Sequence, residues 1–222
     1  LRCGVDPSSI VVDGQVGIAL GPSRPVAAGA YVDNVVTIGT SAEAANSLMR
    51  ALVQRFEGAG LVVHEIAEAS SDAQFLGLQL HAGAALTVKA KNVWRLRAAL
   101  GSILRRKWVT GYALRAVVGH ITWMSMLRRE ALTTLHACYA FVEVFEGRPG
   151  RLWDSAAREL IAVRNLLPIL QADLTAGWCS TIACSDAAPE GLGVARRVVD
   201  ASAVAGCARF SERWRFKVAG AQ

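Results

Sequence analysis

The chain has 222 residues, of which 53% are hydrophobic, and its 24 Lys and Arg against 18 Asp and Glu give a formal net charge of +6. This length provides for one large or two small domains with a hydrophobic core. No window of about 18 residues is free of charged or strongly polar interruptions, which excludes a membrane-spanning helix. We therefore expect no membrane partner. Residues 1–4 lack the apolar core of a signal peptide.

The first third of the chain predicts a small antiparallel sheet with one helix. Residues 1–26 contain short apolar runs broken by Gly and Pro, which indicate a strand or two with loops. Small and β-branched residues on both sides of Tyr31–Asn34 predict a hairpin whose turn exposes Asp33. Further elements are a helix opened by a capping box at residues 40–43, with Thr40 as the acceptor, and strands at 61–63 and 75–80.

The middle of the chain is strongly basic. Residues 89–129 contain ten Lys or Arg and no Asp or Glu, so this segment alone carries +10. Apolar residues at helical spacing, continuing to Leu135, predict an antiparallel bundle of three helices. Because ordinary solvated faces mix both signs, the single sign of charge favours contact with phosphates. The candidate nucleic-acid-binding residues are Lys89, Lys91, Arg95, Arg97, Arg105, Arg106, Lys107, Arg128 and Arg129.

The last third begins after the break at residues 147–150. An apolar stripe that includes Leu160 and Arg164 predicts a helix ended by Pro168. Residues 178–183 and 192–199 then predict consecutive strands of a second small sheet. Glycines such as Gly111 and Gly119 lack the Lys-Ser/Thr of a phosphate loop, so they indicate turns or close packing.

Three short motifs resemble reverse transcriptases in chain order. Tyr31-Val32-Asp33-Asn34 is similar to the Tyr-x-Asp-Asp turn of that family, with Asn34 in place of the second aspartate. Phe75-Leu76-Gly77 stands where the family opens its next hairpin. Ser185-Asp186-Ala187-Ala188, followed by Gly191-Leu192-Gly193, resembles the start of a ribonuclease H domain. The resemblance extends from about residue 27 to the end and is nearest to retrotransposon polyproteins.

The resemblance implies an α+β fold made of three parts and a connecting helix. Residues 1–88 would be a partial palm with a small antiparallel sheet and a helix, and residues 89–150 a helical, basic, thumb-like bundle. Residues 151–177 would be the connecting helix, and residues 178–222 the start of a ribonuclease H-like sheet.

The resemblance also implies a function. Asp33, Asn34 and Asp186 mark catalytic positions, and Asp33 and Asp186 would hold Mg²⁺ or Mn²⁺ in the intact parent enzyme. An amide at Asn34 brings no negative charge, so metal affinity falls. Asp13 lies too near Tyr31 to be the other palm aspartate. We therefore expect a fragment of an RNA-directed DNA polymerase that is inactive by itself. Its expected partners are an RNA or DNA primer-template and other segments of the same polyprotein.

One rival function remains, and several other kinds of site are not indicated by the sequence. The rival to the polymerase fragment is a non-enzymatic nucleic-acid-binding or assembly protein that uses the basic helices, with Asp33 a plain turn residue. The four histidines lack metal-site or zincin spacing, Ser185 lacks a nucleophile-elbow context, and Glu212 has no clear place in a ribonuclease H site. Five scattered cysteines without a Cys-x-x-Cys pair indicate free thiols and an intracellular location, in cytoplasm or nucleus.

Overall fold

The computed structural model describes residues 6–12, 17–188 and 191–208, so Asp13 and Glu212 lie outside the described residues. Within these ranges the chain is α+β with small antiparallel sheets, as predicted. It divides into two compact units, one of Leu1–Ser70 with Ala176–Gln222 and one of Ser71–Thr175. None of the helices in the described ranges is both long and apolar enough to cross a bilayer.

The first unit contains a hairpin and a helix. Strands β1 (Val26–Tyr31) and β2 (Asn34–Gly39) pair antiparallel along their whole length, and helix α1 (Ala42–Gly58) contacts β2. Among the residues before β1, Ile10 forms a single bridge to Ala28 rather than a strand. The hairpin is therefore anchored on one side by α1, whose Ala45 is 3% exposed.

Two predictions in this region were wrong. The side chain that caps α1 belongs to Ser41, whose Oγ accepts from the Ala44 amide at 3.2 Å. Thr40 is held in the hairpin, because its amide donates to the Pro25 carbonyl at 2.8 Å. Residues 61–70 form no strand, and Leu61 is exposed. A β-favouring sequence without a neighbouring strand to pair with gains little from an extended backbone.

The second unit combines a four-stranded sheet with a helical bundle. Its elements are β3 (Gln74–Phe75), β4 (Leu78–His81), β5 (Ala85–Val88), α2 (Ala90–Arg106), β6 (Trp108–Thr110), α3 (Gly111–Ser125), α4 (His136–Phe145), β7 (Pro149–Arg151), α5 (Asp154–Leu166) and β8 (Gln171–Asp173). The sheet has the order β3-β4-β5-β8, and β6 pairs with β7 in a separate ribbon. The strands at 74–88 and helix α5 thus share one unit with the basic helices.

The single strand predicted over 75–80 is a hairpin instead. Phe75 pairs with Leu78 across a two-residue turn, and Leu76 and Gly77 both have positive φ, +46° and +82°. Two successive left-handed residues turn the chain tightly between paired strands. The Phe-Leu-Gly sequence therefore lies at a hairpin turn.

The core of this unit comes from α2, α3, α4 and α5. The apolar stripes predicted for α2 and α3 are confirmed, since Leu100, Leu114 and Ile121 are each 0% exposed. The third predicted helix, continuing to Leu135, is confirmed only as a six-residue 3-10 helix at Arg129–Thr134, and the α-helix α4 begins at His136. The hydroxyls of Thr133 and Thr134 bond back to nearby carbonyls, an alternative that competes with the regular helix.

Helix α4 has no capping side chain of its own at its first turn. Glu159 of α5 supplies the cap, because its two carboxylate oxygens accept from the amides of Ala137 and Cys138 at 2.8 and 2.9 Å. A carboxylate at a helix amino terminus also interacts favourably with the helix dipole. Glu159 therefore joins α4 and α5 through both hydrogen bonds and charge.

The described chain ends with a second ribbon and a short helix. Strands β9 (Thr181–Ala188) and β10 (Gly191–Val198) pair antiparallel over eight residues each, followed by α6 (Ala201–Ala208). Two consecutive strands were predicted here and are confirmed, but β9 starts later and runs further than expected. Asp186 consequently lies within the strand, opposite Gly193.

Candidate functional site

Asp33 lies exposed at the tip of the β1–β2 hairpin, as predicted. Tyr31 and Asn34 form the last strand pair, so Val32 and Asp33 are the two central residues of the turn. The Asn34 Nδ2 donates to Asp33 Oδ1 at 3.0 Å. Asn34 thus offers Asp33 a hydrogen-bond donor and brings no negative charge to the turn.

The backbone of this turn is strained at Val32, which has a φ of +57°. A β-branched residue with positive φ is a clear outlier, because its Cβ crowds the following carbonyl. The Val32 side chain is 89% exposed, so packing of that side chain does not compensate for the strain. Strain of this kind is worth about 1–3 kcal/mol and is often concentrated at functional turns.

We expect Val32→Gly to stabilise the hairpin by about 1 kcal/mol, because glycine adopts positive φ without a steric penalty. Hydrogen exchange of the β1–β2 amides measures the opening free energy of this hairpin alone. Val35→Gly is the matched control, since Val35 is half-buried in β2 and glycine weakens a strand. Faster exchange in Val32→Gly than in the natural chain would contradict the strain at Val32.

The second candidate carboxylate, Asp186, lies on a different sheet from Asp33. It is exposed in β9, and the β9–β10 ribbon is separate from the β1–β2 ribbon. In the ranges that the structure describes, no group of three or more His, Cys, Asp or Glu side chains is arranged to hold a metal ion.

The candidate nucleic-acid-binding residues lie in the second unit, most of them on α2 or at its ends. Seven are exposed, and Lys89 and Arg97 are half-buried. Lys107 ends the helix in a left-handed conformation with a φ of +60°. Cations at a helix carboxyl terminus also stabilise the helix dipole, so Arg105, Arg106 and Lys107 have a structural role beside any contact with phosphate.

The structure adds Arg151, which is not among the predicted nucleic-acid-binding residues, to this basic end of α2. The β6–β7 ribbon pairs Arg151 with Trp108, and the Leu152 amide donates to the Lys107 carbonyl at 2.8 Å. Both Arg151 and Trp108 are exposed. The positive surface at the carboxyl end of α2 therefore includes a residue more than 40 positions away in the sequence.

Arg97 has different surroundings from the other predicted residues. Its Nη1 donates to the Arg164 carbonyl of α5, and its guanidinium lies 5.2 Å from the centre of the Trp94 ring. Arg97 thus links two helices as well as carrying charge. The sequence indicates Arg164 only as one position in the apolar stripe of α5. An arginine among apolar positions is the signal that this residue does more than pack against the core.

The described cysteines are free thiols, as predicted: Cys138 is buried, and Cys179, Cys184 and Cys207 are exposed. Burial, followed by hydrogen bonding and negative charge from Glu159, raises the pKa of the Cys138 thiol far above its ordinary value. Since the thiolate is the reactive form, Cys138 acts as a packed core residue.

Comparison with protein-family models, with curated proteins and with solved structures finds no match to this chain.

Proposed function

We propose that this chain is a fragment of a retroelement reverse transcriptase that binds primer-template nucleic acid and does not polymerise DNA by itself. The fragment would comprise the end of the palm, the thumb and the start of ribonuclease H. The observation that carries the proposal is the exposed Asp33 at a two-residue hairpin tip, closed by Tyr31 and Asn34. A carboxylate held there by paired strands is well placed to ligate a hard cation.

Nucleic-acid binding is supported by the distribution of charge. The segment 89–129 supplies ten cations and no acid, and seven of the nine candidate residues are exposed. Each phosphate that a cation neutralises releases counterions from the nucleic acid. Binding through this surface is therefore sensitive to salt and only weakly selective for sequence.

Metal binding at the hairpin is expected to be weak in the natural chain. In the parent enzyme, Asp33 would hold Mg²⁺ or Mn²⁺ at the polymerase site, and Asp186 would do so at the separate ribonuclease H site. Here the amide of Asn34 donates a hydrogen bond to Asp33. A single carboxylate paired with an amide lacks the negative charge that a divalent ion requires. The incomplete set of palm carboxylates accounts for a fragment that binds nucleic acid without extending a primer.

We expect Asn34→Asp to give the hairpin a divalent-ion dependence that the natural chain lacks. Without metal, two adjacent carboxylates replace a hydrogen bond and destabilise the turn. Millimolar Mg²⁺ or Mn²⁺ restores stability by about 1 kcal/mol through mass action. Hydrogen exchange of the β1–β2 amides with and without metal measures this change, and Asp33→Asn/Asn34→Asp, which has one carboxylate at the turn, is the control.

A primer-extension assay of the natural chain and of Asn34→Asp tests the catalytic part of the proposal. The natural chain should extend no primer with Mg²⁺ or Mn²⁺ and should bind a primer-template duplex in a salt-sensitive manner. Extension by the natural chain would refute its inactivity. Absence of duplex binding at low salt would refute the proposed function.

The second candidate is a non-enzymatic nucleic-acid-binding or assembly protein. It is favoured by the position of the basic residues, which lie on a unit with a hydrophobic core of its own. In that case Asp33 is a turn residue, so Asn34→Asp acquires no stabilisation from divalent ions while duplex binding persists. The two candidates therefore differ in the metal dependence of a single variant.

A further inference from the structure

We propose that the groove between α2 and α5 binds a phosphate of a nucleic-acid backbone, with Arg164 as its buried donor. The inference rests on the proposed function and identifies where one phosphate is held. Arg164 lies outside the segment that the sequence marks as basic, so this site extends the nucleic-acid surface onto a second helix.

The groove is shallow and positively charged, with a volume of about 390 Å³. It is lined by Trp94, Arg97, Ala98, Gly101, Arg105 and Arg164. None of these lining residues, all in the described part of the chain, is acidic. Three arginines therefore line a small space that has no carboxylate among its lining residues, which favours an anionic ligand.

Arg164 carries a buried polar atom that lacks a partner. Within the described ranges, its Nε is buried and makes no hydrogen bond. A buried N–H without an acceptor is unfavourable, and an unsatisfied donor in a native structure calls for an explanation such as a missing ion. An oxyanion in the groove would supply the acceptor after a small rotation of the Arg164 side chain.

The other two arginines also line the groove, and one of them is held in place. Arg97 is fixed by its hydrogen bond to the Arg164 carbonyl and by its position over the Trp94 ring, 5.2 Å from its centre. The Arg105 Nη1 lies 3.4 Å from the point where a Cβ on Gly101 would be, so the missing side chain at Gly101 leaves room for it. Ordered guanidinium forks match the geometry of phosphate oxygens.

The shape of the groove favours a phosphate within a strand over a free nucleotide. A pocket for a small ligand encloses most of its surface, whereas Trp94 at the edge of this groove is 61% exposed. Arg106, also exposed, follows Arg105 at the end of α2. A strand crossing the groove would thus place one phosphate among the three guanidiniums and its neighbours along the basic end of the helix.

The test uses the full chain and a short oligothymidylate. In ¹⁵N–¹H spectra, the Nε–H signal of Arg164 is assigned by its absence in Arg164→Lys. We expect this signal to shift on addition of the oligonucleotide, and Arg164→Lys to weaken the affinity about fivefold to tenfold, because lysine keeps the charge but loses the fork. The dependence of affinity on salt should be unchanged, since the charge is retained.

Arg158→Lys is the matched control, because Arg158 is an exposed arginine on the same helix and does not line the groove. It should bind the oligonucleotide like the natural chain. Arg164→Gln is the second variant, and its thermal unfolding and that of Arg164→Lys show whether the fold is intact. If Arg164→Lys does not fold, Arg164→Gln carries the affinity test.

The outcomes separate this proposal from the proposed function. Oligonucleotide binding that leaves the Arg164 signal unmoved, or equal losses in Arg164→Lys and Arg158→Lys, would overturn the groove and leave nucleic-acid binding intact. A shift with inorganic phosphate but none with the oligonucleotide would overturn the assignment to a nucleic-acid backbone. Absence of all oligonucleotide and duplex binding would refute the proposed function together with the groove.

Discussion

Replacing Gly111 by alanine is expected to destabilise the second unit by about 2–3 kcal/mol, because the new methyl group has no space. Gly111 is the first residue of α3, and a Cβ there would lie 2.6 Å from both the Val142 carbonyl oxygen and the Glu146 amide nitrogen. These are backbone atoms of α4 and of the residue that ends it. The Tyr112 amide donates to the Glu146 carbonyl at 2.7 Å across the same contact, so relief of the clash requires the two helices to separate.

Gly119→Ala is the matched control in the same helix. Gly119 is exposed, and a Cβ there would meet no atom within 4 Å. Alanine in an open helical position should therefore stabilise α3 by about 0.5–1 kcal/mol through its higher helix propensity. Urea unfolding followed by tryptophan fluorescence measures both variants, since four of the six tryptophans lie in this unit. The two variants need not change the free energy of unfolding by equal amounts. Destabilisation by both variants, however, would contradict the specific contact at Gly111.

The two glycines show what local sequence can and cannot predict. Their residue type alone predicts turns or close packing at both positions. The structure places only Gly111 against another helix, because that contact depends on α4, some 30 residues further along the chain. Periodic apolar positions in α2 and α3 were predicted correctly, since burial of one helix face leaves a repeat within the sequence itself.

Non-local pairing explains the elements that the sequence did not reveal. Strand β8 is three residues long, and it pairs with β5 from more than 80 positions away. Nothing in three residues identifies such a partner, so the grouping of the strands at 74–88 with the basic helices was not foreseen. The amino terminus of α4 was missed for a related reason, because Glu159 caps it from another helix.

The candidate site likewise has one part that the local sequence predicts and another that depends on tertiary contacts. The Asp33 turn was predictable because a two-residue hairpin is specified by the residues beside it, and the pairing of Tyr31 with Asn34 confirms it. Arg151 and Arg164 join the basic surface only through tertiary contacts, the first through the β6–β7 ribbon and the second through the α2–α5 groove. A count of charges along the chain identifies α2 but cannot assign cations contributed by other elements.

Simultaneous replacement of Arg105, Arg106 and Lys107 by Glu is expected to weaken duplex binding at least about 100-fold at moderate salt. The three residues are exposed at the carboxyl end of α2, and their reversal converts attraction to phosphates into repulsion. Because the slope of log affinity against log salt reflects the number of neutralised phosphates, the triple variant should also show a slope that is smaller by about 3. Fluorescence anisotropy with a labelled primer-template duplex over a range of salt concentrations measures both quantities.

A charge-matched variant distinguishes binding at a defined surface from a general effect of net charge on binding. Arg50, Arg148 and Arg158 are exposed and lie outside the segment 89–129, and their replacement by Glu produces the same change in net charge. We expect this control to lose much less affinity and to keep most of the natural salt slope, because long-range repulsion is screened beyond about 10 Å while contacts at the surface are not. Equal losses of affinity in the two triple variants would show that the basic helices act only through the net positive charge of the protein. Unchanged binding in the α2 variant, with its helices intact by circular dichroism, would remove them from the interface altogether.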